Sequence, residues 1–280
     1  MHRIGRRAMK SILFNAYADK GHARRLDLAL DLARVFDGHL TLLNAVPYEA
    51  AGTIDPYGAA FAAMVPIWRD EAKKLREKTE ADLANEGVPW EFVETAGPVS
   101  LSLLRFSALA DLVVIGEREP RGGGKAPSFT AGEVALGTDC PVLVLPDECE
   151  RIDFDKPAIV AWDGSPEASH ALRSAVPLLA KMSNVYLVMV GEGKKEKKEF
   201  DLPPLRGADY LSRHGISCEL VQLAPDDKGV AHAIQSAADT RGAGLIVMGA
   251  YGRMRLAERL FGGVTREMLT DVKIPLLLKH

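Results

Sequence analysis

Apolar residues fall along this chain in two alternating kinds of run. Short unbroken ones, such as Leu112–Ile115 (LVVI) and Leu245–Met248 (LIVM), are apolar at every position. Longer ones, such as Ala23–Phe36 (ARRLDLALDLARVF) and Ala168–Lys181 (ASHALRSAVPLLAK), bring apolar residues back at helical spacing. A strand covered by helices on both faces reads as the first kind, an amphipathic helix as the second. In the second half this pattern predicts strands over 157–162, 185–190, 216–222, 244–249 and 274–279. Helices are predicted between them, over 166–182, 203–214, 229–240 and 263–271. The first half follows the same order, with a longer excursion at Pro47–Met64 between its second strand and second helix. Such alternation implies parallel strands joined by right-handed crossovers.

The halves also match segment by segment. Lys10–Phe14 (KSILF) and its helical run correspond to Pro157–Ala161 (PAIVA) and the run after it. Ala110–Gly116 (ADLVVIG) corresponds to Ala243–Gly249 (AGLIVMG), and Cys140–Leu145 (CPVLVL) to Ile274–Lys279 (IPLLLK). Matched segments in one order predict two homologous domains, 1–150 and 151–280, divided in the acidic stretch Pro146–Asp155 (PDECERIDFD). Each is expected to be a doubly wound, Rossmann-like α/β domain with a five-stranded, mainly parallel sheet. Sheets of that kind take ligands beyond the carboxyl ends of their strands, at the switch point.

Composition narrows the field. Of 280 residues, 47% are hydrophobic and 26% charged, ordinary for a folded protein, and the net charge is −3. Neither half has the basic excess that neutralising phosphates along a nucleic acid demands, and Lys194–Lys198 (KKEKK) reads as a solvated loop. No apolar run approaches the roughly 20 residues of a membrane span. Cys140, Cys149 and Cys218 are odd in number and without metal-like spacing, which argues against a disulfide-stapled or zinc-bound fold. Ser11–Ala16, after the basic start, is too short for the apolar core of a signal peptide. A cytoplasmic protein that binds neither nucleic acid nor membrane is expected.

Candidate chemistry lies at one strand end. Gly249 follows the strand Leu245–Met248; after Gly252 come nine residues, then Gly262, Gly263, Val264 and Thr265 at a helix start. Glycines there let a ligand approach the backbone, and free amides at a helix start favour an anion. Thr265 would add a hydroxyl and Arg253 a positive charge. The other reading is a plain turn followed by a helix start, and spacing alone does not choose.

The pattern Gly249-x2-Gly252-x9-Gly262, between an apolar strand and a helix, resembles the nucleotide-binding signature of the universal stress protein family. Ala161-Trp-Asp163-Gly-Ser165 resembles that family's first strand end. Because both halves share the resemblance, the chain looks like a tandem member. The resemblance implies a stress-response protein binding ATP, with or without Mg2+, as a regulatory ligand of the second domain. Asp163 and the backbone around Ala161 and Val190 would then contact adenine or ribose. Gly249, Tyr251, Gly252 and Arg253 would line ribose and phosphates, and Gly262, Gly263, Val264 and Thr265 would cradle the phosphates. One position departs from the family pattern: Gly263 stands where Ser or Thr is usual. The resemblance also implies that the two domains pair as an intrachain pseudo-dimer through the edges Val142–Leu145 and Leu276–Leu278, with a homodimer of the whole chain left open.

The first half departs further. Glu119 stands where Gly252 does, Ser128 and Phe129 where Gly262 and Gly263 do, and Tyr17 where Asp163 does. A carboxylate and a bulky ring both oppose a phosphate, so this half is expected not to bind ATP in that way. Gly122–Gly124 reads as a linker. His170, His214 and His232 are scattered, Ser165 reads as a helix cap, Asp226–Asp227 as a turn, and Phe61–Trp68 as a cover for the sheet edge or the domain interface. No general base, nucleophile or metal cluster stands out, so no catalytic residue is expected and at most slow ATP hydrolysis. The alternative is a scaffold of the same fold that binds partners and no nucleotide.

Overall fold

The computed structural model describes residues 9–46, 58–119, 128–191, 201–224, 227–251 and 263–280, with only the backbone of 58–62. In the first half, strands β1 (Ser11–Asn15), β2 (His39–Val46), β3 (Trp90–Ala96), β4 (Leu112–Gly116) and β5 (Val142–Leu145) alternate with helices α1 (His22–Phe36), α2 (Gly58–Leu83), α3 (Val99–Phe106) and α4 (Phe129–Gly137). The second half repeats this with β6 (Ala158–Ala161), α5 (Pro166–Leu179), β7 (Val185–Val190), α6 (Leu205–Arg213), β8 (Cys218–Leu223), α7 (Val230–Thr240), β9 (Leu245–Gly249), α8 (Gly263–Thr270) and β10 (Leu276–Lys279). The fold is α/β, with two Rossmann-like units in tandem.

The strands form one sheet in the order β3-β2-β1-β4-β5-β10-β9-β6-β7-β8. Within each half every pairing is parallel. At the centre β10 runs antiparallel to β5, so strands that would end their half-sheets as open edges cover each other. Strand order reverses between β1 and β4 and again between β6 and β9, which places one switch point in each half.

Successive side chains of a strand point to opposite faces. Ile12 and Phe14 accordingly enter one apolar core with α1, α5 and α6, while Leu13 enters the other with α3, α4, α7 and α8. Burial on both faces is why runs such as Leu112–Ile115 and Leu245–Met248 are apolar at every position. Local signals set the helix boundaries: Ser165 caps α5 by accepting the Ala168 N–H, ahead of Pro166 in the first turn.

The excursion differs from its expected form. From Gly58 onward it is the start of the 26-residue helix α2, which continues through Pro66. Trp68 packs with Ala72 against Val46 at the end of β2. Pro47–Tyr57, Gly122–Gly124, Lys194–Lys198 and Asp226 lie outside the described residues.

Candidate functional site

The second-half switch point opens into a cavity of about 330 Å³ at the carboxyl ends of β6, β7 and β9. Ala161, Asp163, Val190, Gly249, Tyr251, Gly263, Val264 and Thr265, singled out in the sequence, all line it. Gly252, Arg253 and Gly262 lie outside the described residues. The volume falls within the roughly 300–1,000 Å³ range of small-molecule sites.

Each wall has a local cause. Asp163, Gly164 and Ser165 form a tight turn in which Asp163 Oδ1 accepts the Ser165 N–H at 3.0 Å. Gly164 adopts a φ of +81°, and a Cβ there would lie 2.3 Å from the Leu202 carbonyl oxygen, so the turn has room only for glycine. Gly249 carries the same kind of constraint, since a Cβ on it would lie 2.7 Å from the Ala168 nitrogen at the start of α5. Tyr251 takes a left-handed φ of 61°, and its N–H donates to Thr265 Oγ1 at 3.2 Å. That bond ties the end of β9 to the first turn of α8 and uses only the acceptor side of the Thr265 hydroxyl, leaving its proton to donate into the cavity. Burial raises the Tyr251 phenol above its ordinary range and keeps it protonated.

Sequence reading did not find the apolar wall. Val188, Val230, Ile234 and Met248 also line the cavity, as does Glu167. The signal was present in the spacing: Val188 and Val190 share one face of β7, and Val230 and Ile234 lie one helical turn apart at the start of α7. Taken together, the cavity has an apolar wall suited to a flat ring, two carboxylates, and a helix N-terminus.

The first-half switch point is filled by its own side chains. Tyr17 occupies the register of Asp163; its ring lies 4.4 Å beneath the Arg25 guanidinium and its hydroxyl donates to the Arg118 carbonyl at 3.1 Å. Arg25 is fully buried and paired with Asp19 at 2.6 Å and Asp147 at 3.0 Å. A Cβ on Gly116, the register of Gly249, would lie 2.5 Å from the Tyr17 hydroxyl and 2.9 Å from Arg25 Cδ. Arg118 also pairs with Asp147, and burial raises the Glu117 carboxyl above its ordinary range. Glu119 accepts bonds at the start of α4 from Thr130 N–H at 2.6 Å, Thr130 Oγ1 at 2.8 Å and Ser128 Oγ at 3.0 Å.

The remaining candidates have ordinary surroundings. His170 Nδ1 lies 3.3 Å from the His280 carbonyl, and the His214 ring packs on Tyr210 at 4.7 Å. Among the described residues no three His, Cys, Asp or Glu side chains converge as a metal site, and no helix is long and apolar enough to cross a membrane.

Comparison with known proteins agrees with the internal repeat. The model of the universal stress protein family matches residues 12–146 and again 156–280. A universal stress protein from Archaeoglobus fulgidus superposes with a TM-score of 0.73 at 16% identity, covering 97% of each chain. Another, from Pseudomonas aeruginosa, gives 0.62 at 17% identity, covering 97% of this chain and 93% of its own. A universal stress protein solved in complex with cAMP is 17% identical and covers 50% of this chain and 99% of its own, with a TM-score of 0.32. No curated protein matches the chain significantly.

Proposed function

The chain belongs to the universal stress protein family, and from that premise we propose that its second half binds a nucleotide, ATP foremost, as the regulatory ligand of a stress-response protein. The observation that carries this reading is convergence. Residues far apart in sequence, from Ala161 to Thr265, meet around one cavity at the switch point of their half. The base would lie against Val188, Val190 and Ile234. Asp163 would accept from ribose or base, and the N–H groups of Gly263 and Val264 would receive phosphate oxygens together with the Thr265 hydroxyl. Arg253 and the glycines Gly252 and Gly262 complete the site in this reading. Magnesium would arrive on the phosphates. The residues around the cavity are assigned binding roles and no catalytic one.

On the same reading, residues 1–150 and 151–280 are the two domains. Their β5–β10 pairing is the pseudo-dimer contact, and the chain acts in the cytoplasm. The test combines mass spectrometry of small molecules released from freshly purified protein with calorimetric titration of ATP, ADP and cAMP. ATP is expected to bind once per chain, and more weakly in Asp163→Ala. No heat from any of the three at millimolar concentration, with nothing released on denaturation, would overturn the proposal and favour a partner-binding scaffold.

A further inference from the structure

The first half carries an anion at its switch point, and that anion is part of the chain. The two oxygens of Glu119 take the backbone N–H of Thr130, the Thr130 hydroxyl and the Ser128 hydroxyl, all at the first turn of α4. Ser128 does double duty, since its Oγ also accepts the Ala131 N–H as the helix cap. Amides and hydroxyls converging at a helix N-terminus are the donor set that elsewhere receives a phosphate. Here the Thr130 N–H and both hydroxyls are spent on a carboxylate. The register matches too: Ser128 and Thr130 stand at the positions of Gly262 and Val264, and Glu119 at that of Gly252.

We propose that Glu119 is a tethered ligand, holding the anion seat of the first half against phosphate-type anions. A carboxylate eleven residues from its seat in sequence competes at an effective concentration of about millimolar or more. Free anions below that level are excluded, and the half stays in a liganded form whatever the solution contains. The neighbouring Asp19, Arg25 and Asp147 fix the rest of the switch point in the same state. Only the second half is then free to respond to a ligand. Replacing Glu119 removes the competitor and leaves the donors in place.

A role as a helix cap alone makes a different prediction, because losing a cap costs stability and creates no binding. The experiment titrates inorganic phosphate into the full chain while following the backbone amide resonances of Thr130 and Ala131. It compares the parent with Glu119→Gly, which copies the residue at this register in the second half, and with Glu119→Gln, which keeps the shape and drops the charge. Both variants are expected to show saturable shifts at phosphate concentrations at least about tenfold below any seen in the parent. If Glu119→Gly is too unstable to titrate, Glu119→Gln decides alone. A folded variant whose Thr130 amide ignores phosphate would overturn the proposal and leave Glu119 as a cap. The readout belongs to α4, so it stands whether or not the second half binds a nucleotide.

Discussion

Leu143 of β5 and Leu277 of β10 face each other across the seam of the sheet, both fully buried. They hold the same place in their respective halves, because Val142 and Val144, the flanking residues of one, pair with Leu278 and Leu276, the flanking residues of the other. The pseudo-two-fold axis that relates the halves therefore passes between these two side chains. A contact of this symmetry joins like to like, as in an isologous dimer interface.

Truncation on that axis should cost nearly the same from either side. Leu143→Ala and Leu277→Ala are each expected to destabilise the chain by about 2–5 kcal/mol, through lost burial and the cavity left behind. Urea unfolding of the two variants gives both numbers. A loss below about 1 kcal/mol in both would mean the seam contributes little to stability.

Gly252→Glu moves the first-half residue into the second-half register. Unlike Glu119, the new carboxylate would lack the two hydroxyls that hold Glu119, since Gly262 and Val264 stand where Ser128 and Thr130 do. It would face the phosphates directly, where like charges in a partly dehydrated cleft cost several kcal/mol. ATP binding by calorimetry is expected to fall below detection while the thermal unfolding midpoint stays within about 4 °C of the parent. Unchanged ATP affinity would place the nucleotide elsewhere.

Much of this arrangement is legible in sequence, because burial on both faces writes the inner strands β4, β5 and β9 as unbroken apolar runs. The sheet sets the register of Tyr17 with Asp163, since Ile12 pairs with Leu112 as Ala158 pairs with Leu245; counting from the matched starts Lys10 and Pro157 alone places Tyr17 one residue further on, at Gly164. What the pattern hides is long-range polar chemistry. Arg25 looks like a surface residue of an amphipathic helix, yet it is fully buried because Asp147, from the chain beyond β5, and Asp19 both reach it. Glu119 reads as a charge opposed to phosphate, and its sequence neighbours give no hint that Thr130 and Ser128 hold it. The start of α2 was hidden for another reason. Pro66 lies inside that helix and reads as a breaker in sequence.

Gly263→Ser tests the phosphate assignment from the opposite direction. Among the described residues no atom lies within 4 Å of a Cβ at Gly263, so serine fits there without displacing any of them. Its hydroxyl on a charged phosphate oxygen would contribute roughly 1.5–3 kcal/mol, less the cost of ordering the side chain. ATP affinity is expected to rise about tenfold at fixed magnesium. Equal or weaker binding would show that no phosphate sits at that position.

The last prediction concerns pH and stability. His22, at the start of α1, is buried; its Nε2 lies 3.4 Å from the hydroxyl of Thr79, itself fully buried, and its ring 5.8 Å from that of Phe14. Burial, reinforced by the positive charges of Arg25 and Lys78 against the opposing Asp19 and Asp82, lowers its pKa from 6.5 to about 4. The fold therefore favours neutral His22, while the unfolded chain takes up a proton once the pH drops below the ordinary histidine value. The contribution is complete above pH 6.5 and is lost as pH falls toward about 4. Between about pH 7 and pH 5 it should amount to about 2 kcal/mol of unfolding free energy. His22→Gln keeps a polar partner for Thr79 and removes the titration, so the stability difference between the two proteins should shift by that amount across the interval. Parallel pH profiles for parent and variant would show that His22 titrates in the fold as it does in the unfolded chain.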